Sequence, residues 1–213
     1  MTKSFEKWDI DDVERTFGIR AKATLPLLEE WRSARHEIRP EEEYTITILR
    51  EDLQLNVDLW NEDELKFKFI APLISLIRYN TERFRAFTQR TLSATLNGVK
   101  INGRVDFVIA TGKANPLQPF FFLHEYKKAR GSDNDPLAQL LVEMLAAREL
   151  NAIKYPLYGC YVVGRAWYFV VLEGDFYAET APYLATGDGL LAIFSILREA
   201  KFIITRLAAE FGQ

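Results

Sequence analysis

The stretch GRVDFVIATGKANPLQPFFFLHEYKKARGSDND, residues 103–135, places charged side chains where strands are expected to be apolar. Its two runs of β-branched and aromatic residues are separated by Gly, Asn and Pro, which predicts two antiparallel strands joined by a loop. Asp106 falls in the first strand, and Glu125 and Lys127 fall at the end of the second. Because side chains alternate along a strand, Glu125 and Lys127 share one face. If Asp106 faces the same way, two carboxylates and an ammonium meet on an otherwise apolar sheet.

A metal ion would explain such a cluster. Two carboxylates brought together strongly disfavour joint ionisation unless a cation lies between them. The chain has two His and one Cys, so a His-rich or multi-Cys metal site is not expected. Oxygen ligands suit Mg²⁺ or Mn²⁺, and the sequence therefore predicts one of these ions beside Asp106 and Glu125.

The elements around this stretch also carry polar residues at defined positions. NEDELKFKFIAPLISLIRY predicts a helix that begins at Asn61, with Glu64 completing a capping box. At 100° per residue, Glu62 projects onto the apolar face of that helix. DPLAQLLVEMLAAREL predicts a later helix on which Gln139 and Glu143 share one stripe, as a buried polar pair or as a solvent-exposed one.

The remaining chain completes an α/β pattern. Residues 1–58 read as short helices, which predicts a helical N-terminal extension, and residues 59–213 form the main domain. The apolar runs LYGCYVVG and AWYFVVLEG predict a further strand pair. An amphipathic C-terminal helix is expected from about Gly187, docked on the core or, less simply, on a second copy.

Composition and charge limit the class of protein. The 213 residues are 48% hydrophobic and 27% charged, as in ordinary globular proteins. The sequence has no run of about 18 apolar residues and no secretory signal at its start, so we expect a cytoplasmic protein without a membrane partner. The net charge of −3 does not by itself indicate nucleic-acid binding, but basic residues concentrate near the charged cluster. They include Arg104, Lys127, Lys128 and Arg130.

The order of these elements resembles the core of the PD-(D/E)xK nuclease superfamily, which includes many restriction endonucleases. RVDF and EYK are similar to the two halves of its motif, with Val105 where the Pro often stands. NEDELKFKFIAPL resembles the Glu-x-x-Thr-Arg-x-x-x-Ile-x-Pro-x-Leu helix of type I restriction nuclease subunits. In that helix Glu62, Ile70, Pro72 and Leu73 match, whereas Leu65 and Lys66 depart from the pattern. The likeness covers about residues 61–164.

The resemblance implies a restriction-endonuclease-like core with a central mixed β-sheet flanked by helices, and metal-dependent hydrolysis of DNA phosphodiester bonds. It implies restriction, defence or DNA repair as the setting, and a monomer or homodimer that acts with or without other subunits. In the implied site the ligands of Mg²⁺ or Mn²⁺ are Asp106, Glu125 and Glu62. The further catalytic residues are Lys127 and Gln139. The residues that bind nucleic acid are Arg104, Lys128 and Arg130.

Two other functions fit the same residues. The chain could be a catalytically silent nuclease-fold module that binds nucleic acid or a protein partner. It could also be a structural protein on whose surface Asp106, Glu125 and Lys127 are ordinary charged residues. Metal dependence separates these readings, because only the nuclease requires a divalent ion for its activity.

Overall fold

The computed structural model describes the backbone of residues 2–126, 135–151 and 154–210, and their side chains except those of residues 122–126. The helices in this part of the chain are α1 (Ile10–Phe17), α2 (Pro26–Ser33), α3 (Pro40–Asn56), α4 (Glu62–Leu65), α5 (Ala71–Ile77), α6 (Pro136–Leu150) and α7 (Gly189–Glu210). A 3₁₀ turn spans Phe5–Lys7, and a π-helical turn, Lys66–Ile70, joins α4 to α5. The strands are β1 (Thr2–Ser4), β2 (Arg20–Ala21), β3 (Arg85–Leu96), β4 (Val99–Ala110), β5 (Pro119–Tyr126), β6 (Leu157–Val163), β7 (Ala166–Glu173), β8 (Phe176–Glu179) and β9 (Tyr183–Leu184).

One mixed sheet contains all the strands described. Its order is β1-β4-β5-β6-β7-β8-β2, with β3 beside β4 and β9 beside β7. β3, β4 and β5 form an antiparallel meander that contains the predicted pair β4 and β5, whereas β5 and β6 run parallel and are connected through α6. β6 and β7 form the predicted second strand pair. The predicted α/β class, with a mixed sheet flanked by helices, is therefore confirmed.

Helices cover the sheet on both faces. On β6, a Cβ added at Gly159 would come within 3.1 Å of Leu140 on α6, so α6 packs closely on that face. The preceding residue, Tyr158, points to the other face. There it meets the fully buried Trp31 of α2, at a ring-centroid distance of 5.2 Å. Trp31 Nε1 also donates a hydrogen bond to the Ile196 carbonyl of α7 at 2.8 Å, which ties α2 and α7 together.

The N-terminal segment contains the predicted helices and two short strands that the sequence pattern did not indicate. α1 ends at Gly18, whose φ of 73° lies in the left-handed region that glycine adopts at low cost. β1 runs parallel to β4, and β2 runs parallel to β8. Segments of two or three residues carry no readable alternation, which is why sequence patterns miss them. The division at residue 58 stays a prediction.

The C-terminal helix packs on the core of its own chain, which was the simpler of the two expectations. Leu190, Ile193, Phe194 and Leu197 on α7 are fully buried. Among the residues described, no helix has both the length and the apolar character needed to cross a membrane.

A buried carboxylate connects the start of α3 to α7. The side chain of Glu42 is 3% exposed. It accepts hydrogen bonds from the backbone N–H of Arg39 at 3.0 Å and from its guanidinium at 2.6 Å, and Arg198 of α7 lies 2.7 Å away. Burial acts to raise the pKa of Glu42, but the bonds from Arg39 and Arg198 outweigh it and lower the pKa to about 2.

Glu42→Gln is expected to destabilise the protein by about 3 kcal/mol at pH 7, because a folded-state pKa below the unfolded value adds stability above the unfolded pKa. That contribution is lost as pH falls from about 5 to about 2, so the two proteins should converge in stability there. Urea unfolding across this pH range measures the difference. Glu43→Gln, at an exposed neighbour, is the matched control. A constant difference between wild type and Glu42→Gln at all pH values would contradict the assignment.

Candidate metal centre and cleft

Glu62 is held in the first turn of α4 by a capping box. Asn61 Oδ1 accepts a hydrogen bond from the Glu64 N–H at 2.9 Å, and Glu64 Oε2 accepts one from the Asn61 N–H at 3.0 Å. This is the cap that the sequence predicts, and it satisfies backbone donors that a helix start would otherwise leave unpaired. The start of α4 is thereby fixed, and with it the position from which Glu62 extends.

A π-helical turn follows α4 directly. The Ala71 N–H donates to the Lys66 carbonyl five residues earlier, and Pro72 has no N–H to continue a regular α-helical ladder. Insertions of this type are frequent at functional sites. The turn contains Lys66, whose side chain reaches the sheet, and the buried residues Phe69 and Ile70.

Lys66 brings Glu62 and Asp106 together. Its Nζ lies 2.8 Å from Glu62 Oε1 and 3.2 Å from Asp106 Oδ1, so one cation contacts a carboxylate from the helix and a carboxylate from β4. The three side chains are 26%, 32% and 17% exposed, in the order Lys66, Glu62, Asp106. Because each side chain is half-buried, its charged form would lose solvation free energy if the oppositely charged partner were absent. Glu62 and Asp106 thus approach one position, that of the Lys66 ammonium, and the predicted metal site at this position stays a prediction.

Gln89 supports Asp106 from the neighbouring strand. Its Nε2 donates to Asp106 Oδ1 at 2.7 Å. Thr88 pairs with Phe107 and Arg90 pairs with Val105, but Gln89 and Asp106, which lie between these pairs, do not form a regular backbone pair. Gln89 has a φ of 53°. A left-handed residue other than glycine is strained, and such strain is concentrated at functional sites. The sheet thus departs from regular geometry at Asp106.

A cleft of about 550 Å³ adjoins this cluster, between the α4–α5 segment and the β3–β4 hairpin. Its lining is mostly apolar and includes Ile70, Ile74 and Phe107, with Lys66 and Asp106 contributing charged groups. Tyr79 also lines it. Burial raises the pKa of Tyr79 well above its usual value, so its hydroxyl stays protonated and donates to the Leu197 carbonyl at 2.6 Å. The Tyr79 side chain in the cleft wall is therefore fixed by a hydrogen bond to α7.

The other predicted site residues fall into two groups. Gln139 and Glu143 are buried on α6, and Gln139 Nε2 donates to Glu143 Oε1 at 3.2 Å, which excludes the solvent-stripe reading. Arg104 is exposed on β4, two residues before Asp106. The side chain of Glu125 lies outside the described residues, although its backbone belongs to β5 and pairs with Val162 of β6.

Three further predicted residues, Lys127, Lys128 and Arg130, lie wholly outside the residues described. Within the part of the chain that is described, no three His, Cys, Asp or Glu side chains form a metal-binding group. The predicted ligand set includes Glu125 and thus extends beyond that part.

No family model matches the chain, and no curated protein matches it either.

Sequence reasoning missed Lys66 and Gln89 as site residues. Lys66 stands out only as a departure from the type I helix pattern, although its place four residues after Glu62 is the spacing at which oppositely charged helical side chains meet. Nothing in the sequence around Gln89 signals its role, because that role depends on strand register.

Proposed function

We propose that this protein is a Mg²⁺- or Mn²⁺-dependent nuclease with a restriction-endonuclease-like core that hydrolyses DNA phosphodiester bonds. The observation that supports this best is the approach of Glu62 and Asp106, from two separate elements, to one cation position beside a cleft. Two acidic side chains that approach one point repel each other and lose solvation, so a cation between them is required for both to stay ionised.

The donor set fits a hard divalent ion. Mg²⁺ typically takes one or two protein carboxylates and completes its octahedral shell with water and substrate phosphate oxygens. Glu62 and Asp106 supply such carboxylates, and Glu125 follows on the strand that pairs with β4. When bound, the ion polarises the phosphoryl oxygen and lowers the pKa of a coordinated water.

The chain's own residues carry the remaining roles in this proposal. Lys127 orients the attacking water or neutralises charge that develops on the phosphoryl group. Gln139 does not bind the metal ion but positions Lys127 or the nucleotide. Arg104, Lys128 and Arg130 hold backbone phosphates without reading the base sequence.

One observation favours the catalytically silent alternative. The Lys66 ammonium already neutralises Glu62 and Asp106, as a permanent ion pair would. A nuclease requires this lysine to yield its position to the metal, whereas a silent module does not. The two functions therefore differ in how Lys66 affects metal binding.

The proposal predicts that purified protein cleaves DNA in Mg²⁺ or Mn²⁺ and that EDTA abolishes cleavage. It also predicts that Lys66→Met binds Mg²⁺ about tenfold more tightly or better, since unit charges about 4 Å apart interact by roughly 1 kcal/mol in water and 4 kcal/mol near a protein surface. Calorimetric titration measures the affinity. Lys68→Met is the matched control, because Lys68 pairs with Glu64 at 2.9 Å outside the site. Unchanged or weaker Mg²⁺ binding by Lys66→Met, with no cleavage of single- or double-stranded DNA, would support the silent module instead.

A further inference from the structure

The β3–β4 hairpin has a charge composition unlike that of the whole chain. The chain carries 30 acidic and 27 basic residues, yet the segment between Glu82 and Asp106 contains no Asp or Glu. Its basic residues are Arg83, Arg85, Arg90, Lys100 and Arg104. Because the protein as a whole is acidic, a segment of this composition indicates a local surface for a polyanion.

The strand register gathers polar side chains from this segment on one face. Residues paired directly across an antiparallel ladder share a face, and three such pairs follow one another away from the Asp106 end. These pairs are Thr91 with Arg104, Ser93 with Asn102, and Thr95 with Lys100. We call these six residues the hairpin strip.

The strip is open to solvent while the opposite face is buried. Apart from the half-buried Asn102, its members are exposed. On the other face Leu92, Ala94 and Ile101 are buried. The exposed side of the distal hairpin is therefore polar and carries positive charge, and its other side packs against the core.

The cations of the strip are available to a ligand. Among the described residues, Lys100 and Arg104 make no side-chain hydrogen bond or ion pair. The hydroxyls of Thr91, Ser93 and Thr95 repeat every second residue, about 6.7 Å apart. Hydroxyls and cations in this arrangement match the evenly spaced phosphates of a nucleic-acid backbone, to which Arg, Lys, Ser and Thr commonly donate.

We propose that the hairpin strip binds the phosphodiester backbone of nucleic acid and leads it toward Asp106, which lies two residues beyond Arg104 on β4. The leading role rests on the proposed nuclease function, but binding by the strip does not. The backbone can belong to a single strand or to a duplex, since both present the same phosphates.

The test uses the full chain in EDTA, so that binding is measured without cleavage. Fluorescence anisotropy with labelled single-stranded and duplex DNA of the same sequence, over a range of salt concentrations, compares wild type with Lys100→Ala/Arg104→Ala. We expect the double variant to bind roughly tenfold more weakly and the salt dependence to fall by about 1 to 2 in slope. The DNA form that shows this loss is the form that the strip binds.

Arg20→Ala/Lys22→Ala is the matched control, because both side chains are exposed at the opposite edge of the sheet and the net charge changes equally. The control should bind like wild type. Equal losses in both double variants would show a general charge effect and overturn the proposal, as would unchanged binding by Lys100→Ala/Arg104→Ala or an absence of binding by wild type. Cleavage by wild type alongside any of these results would leave the nuclease function standing without the strip.

Discussion

Asp106→Asn is expected to lower Mg²⁺-dependent DNA cleavage by on the order of a hundredfold or more. Asn keeps the size of the side chain and can still accept the hydrogen bond from Gln89, but it lacks the charge that attracts a divalent ion. In the proposed site a metal ligand is lost, and transition-state stabilisation is lost with it. Initial cleavage rates at saturating and subsaturating Mg²⁺ distinguish weaker metal binding from slower chemistry.

The control for this variant is Asp63→Asn, in the same short helix as Glu62 but exposed. It makes the same chemical change close to the site and should leave cleavage within about a factor of two, as surface substitutions usually do. Full activity in Asp106→Asn would remove Asp106 from the metal site. An equal loss of cleavage in Asp106→Asn and Asp63→Asn would mean that cleavage depends on the overall negative charge of this region and not on Asp106 as a metal ligand.

Lys127→Ala is the second change with a large expected effect. Its argument comes from the sequence, since Lys127 follows Glu125 by two residues in the resemblance to the Glu-x-Lys motif. Replacing a surface lysine that has no other role changes the free energy of unfolding by about 0.5 kcal/mol or less. Removing a group that stabilises transition-state charge lowers the rate by on the order of a hundredfold. We therefore expect a near-complete loss of cleavage at unchanged stability, measured by rates and by urea unfolding.

Lys113→Ala provides the comparison, because Lys113 is an exposed lysine in the loop between β4 and β5. It should match wild type in rate and stability. If Lys127→Ala cleaves DNA as fast as Lys113→Ala, Lys127 has no catalytic role, and the motif likeness would lose its most specific residue.

Hydrophobic periodicity was sufficient to predict the main elements. Runs of β-branched, aromatic and other apolar residues located β4, β5, β6 and β7, and helical patterns located α6 and α7, because burial of one face or of both faces imposes these patterns. The same reasoning placed Glu62 on the inward side of its helix. It could not predict the π-helical turn at Lys66–Ile70, since that turn adds a residue to a pattern that was read at constant pitch.

The candidate site was predictable in part for a related reason. Glu62 and Asp106 each follow from local patterns, but the bridge between them depends on how α4 packs over β4. The contact between Gln89 and Asp106 depends on the left-handed backbone of Gln89 itself, a conformation that no sequence propensity predicts within a strand. Net charge was also a weak guide, because the acidic total conceals Lys100 and Arg104, which strand register places on one exposed face of the hairpin.

The most direct test of the central claim, that Glu62 and Asp106 form a divalent-cation site, is a crystal structure of the protein with Mn²⁺ and its anomalous map. We expect an anomalous peak at coordination distance from both carboxylates, about 2.0–2.3 Å, with Lys66 Nζ moved away from the position between them. A map with no peak at this site at high Mn²⁺ concentration, and with Lys66 still bridging Glu62 and Asp106, would contradict the claim.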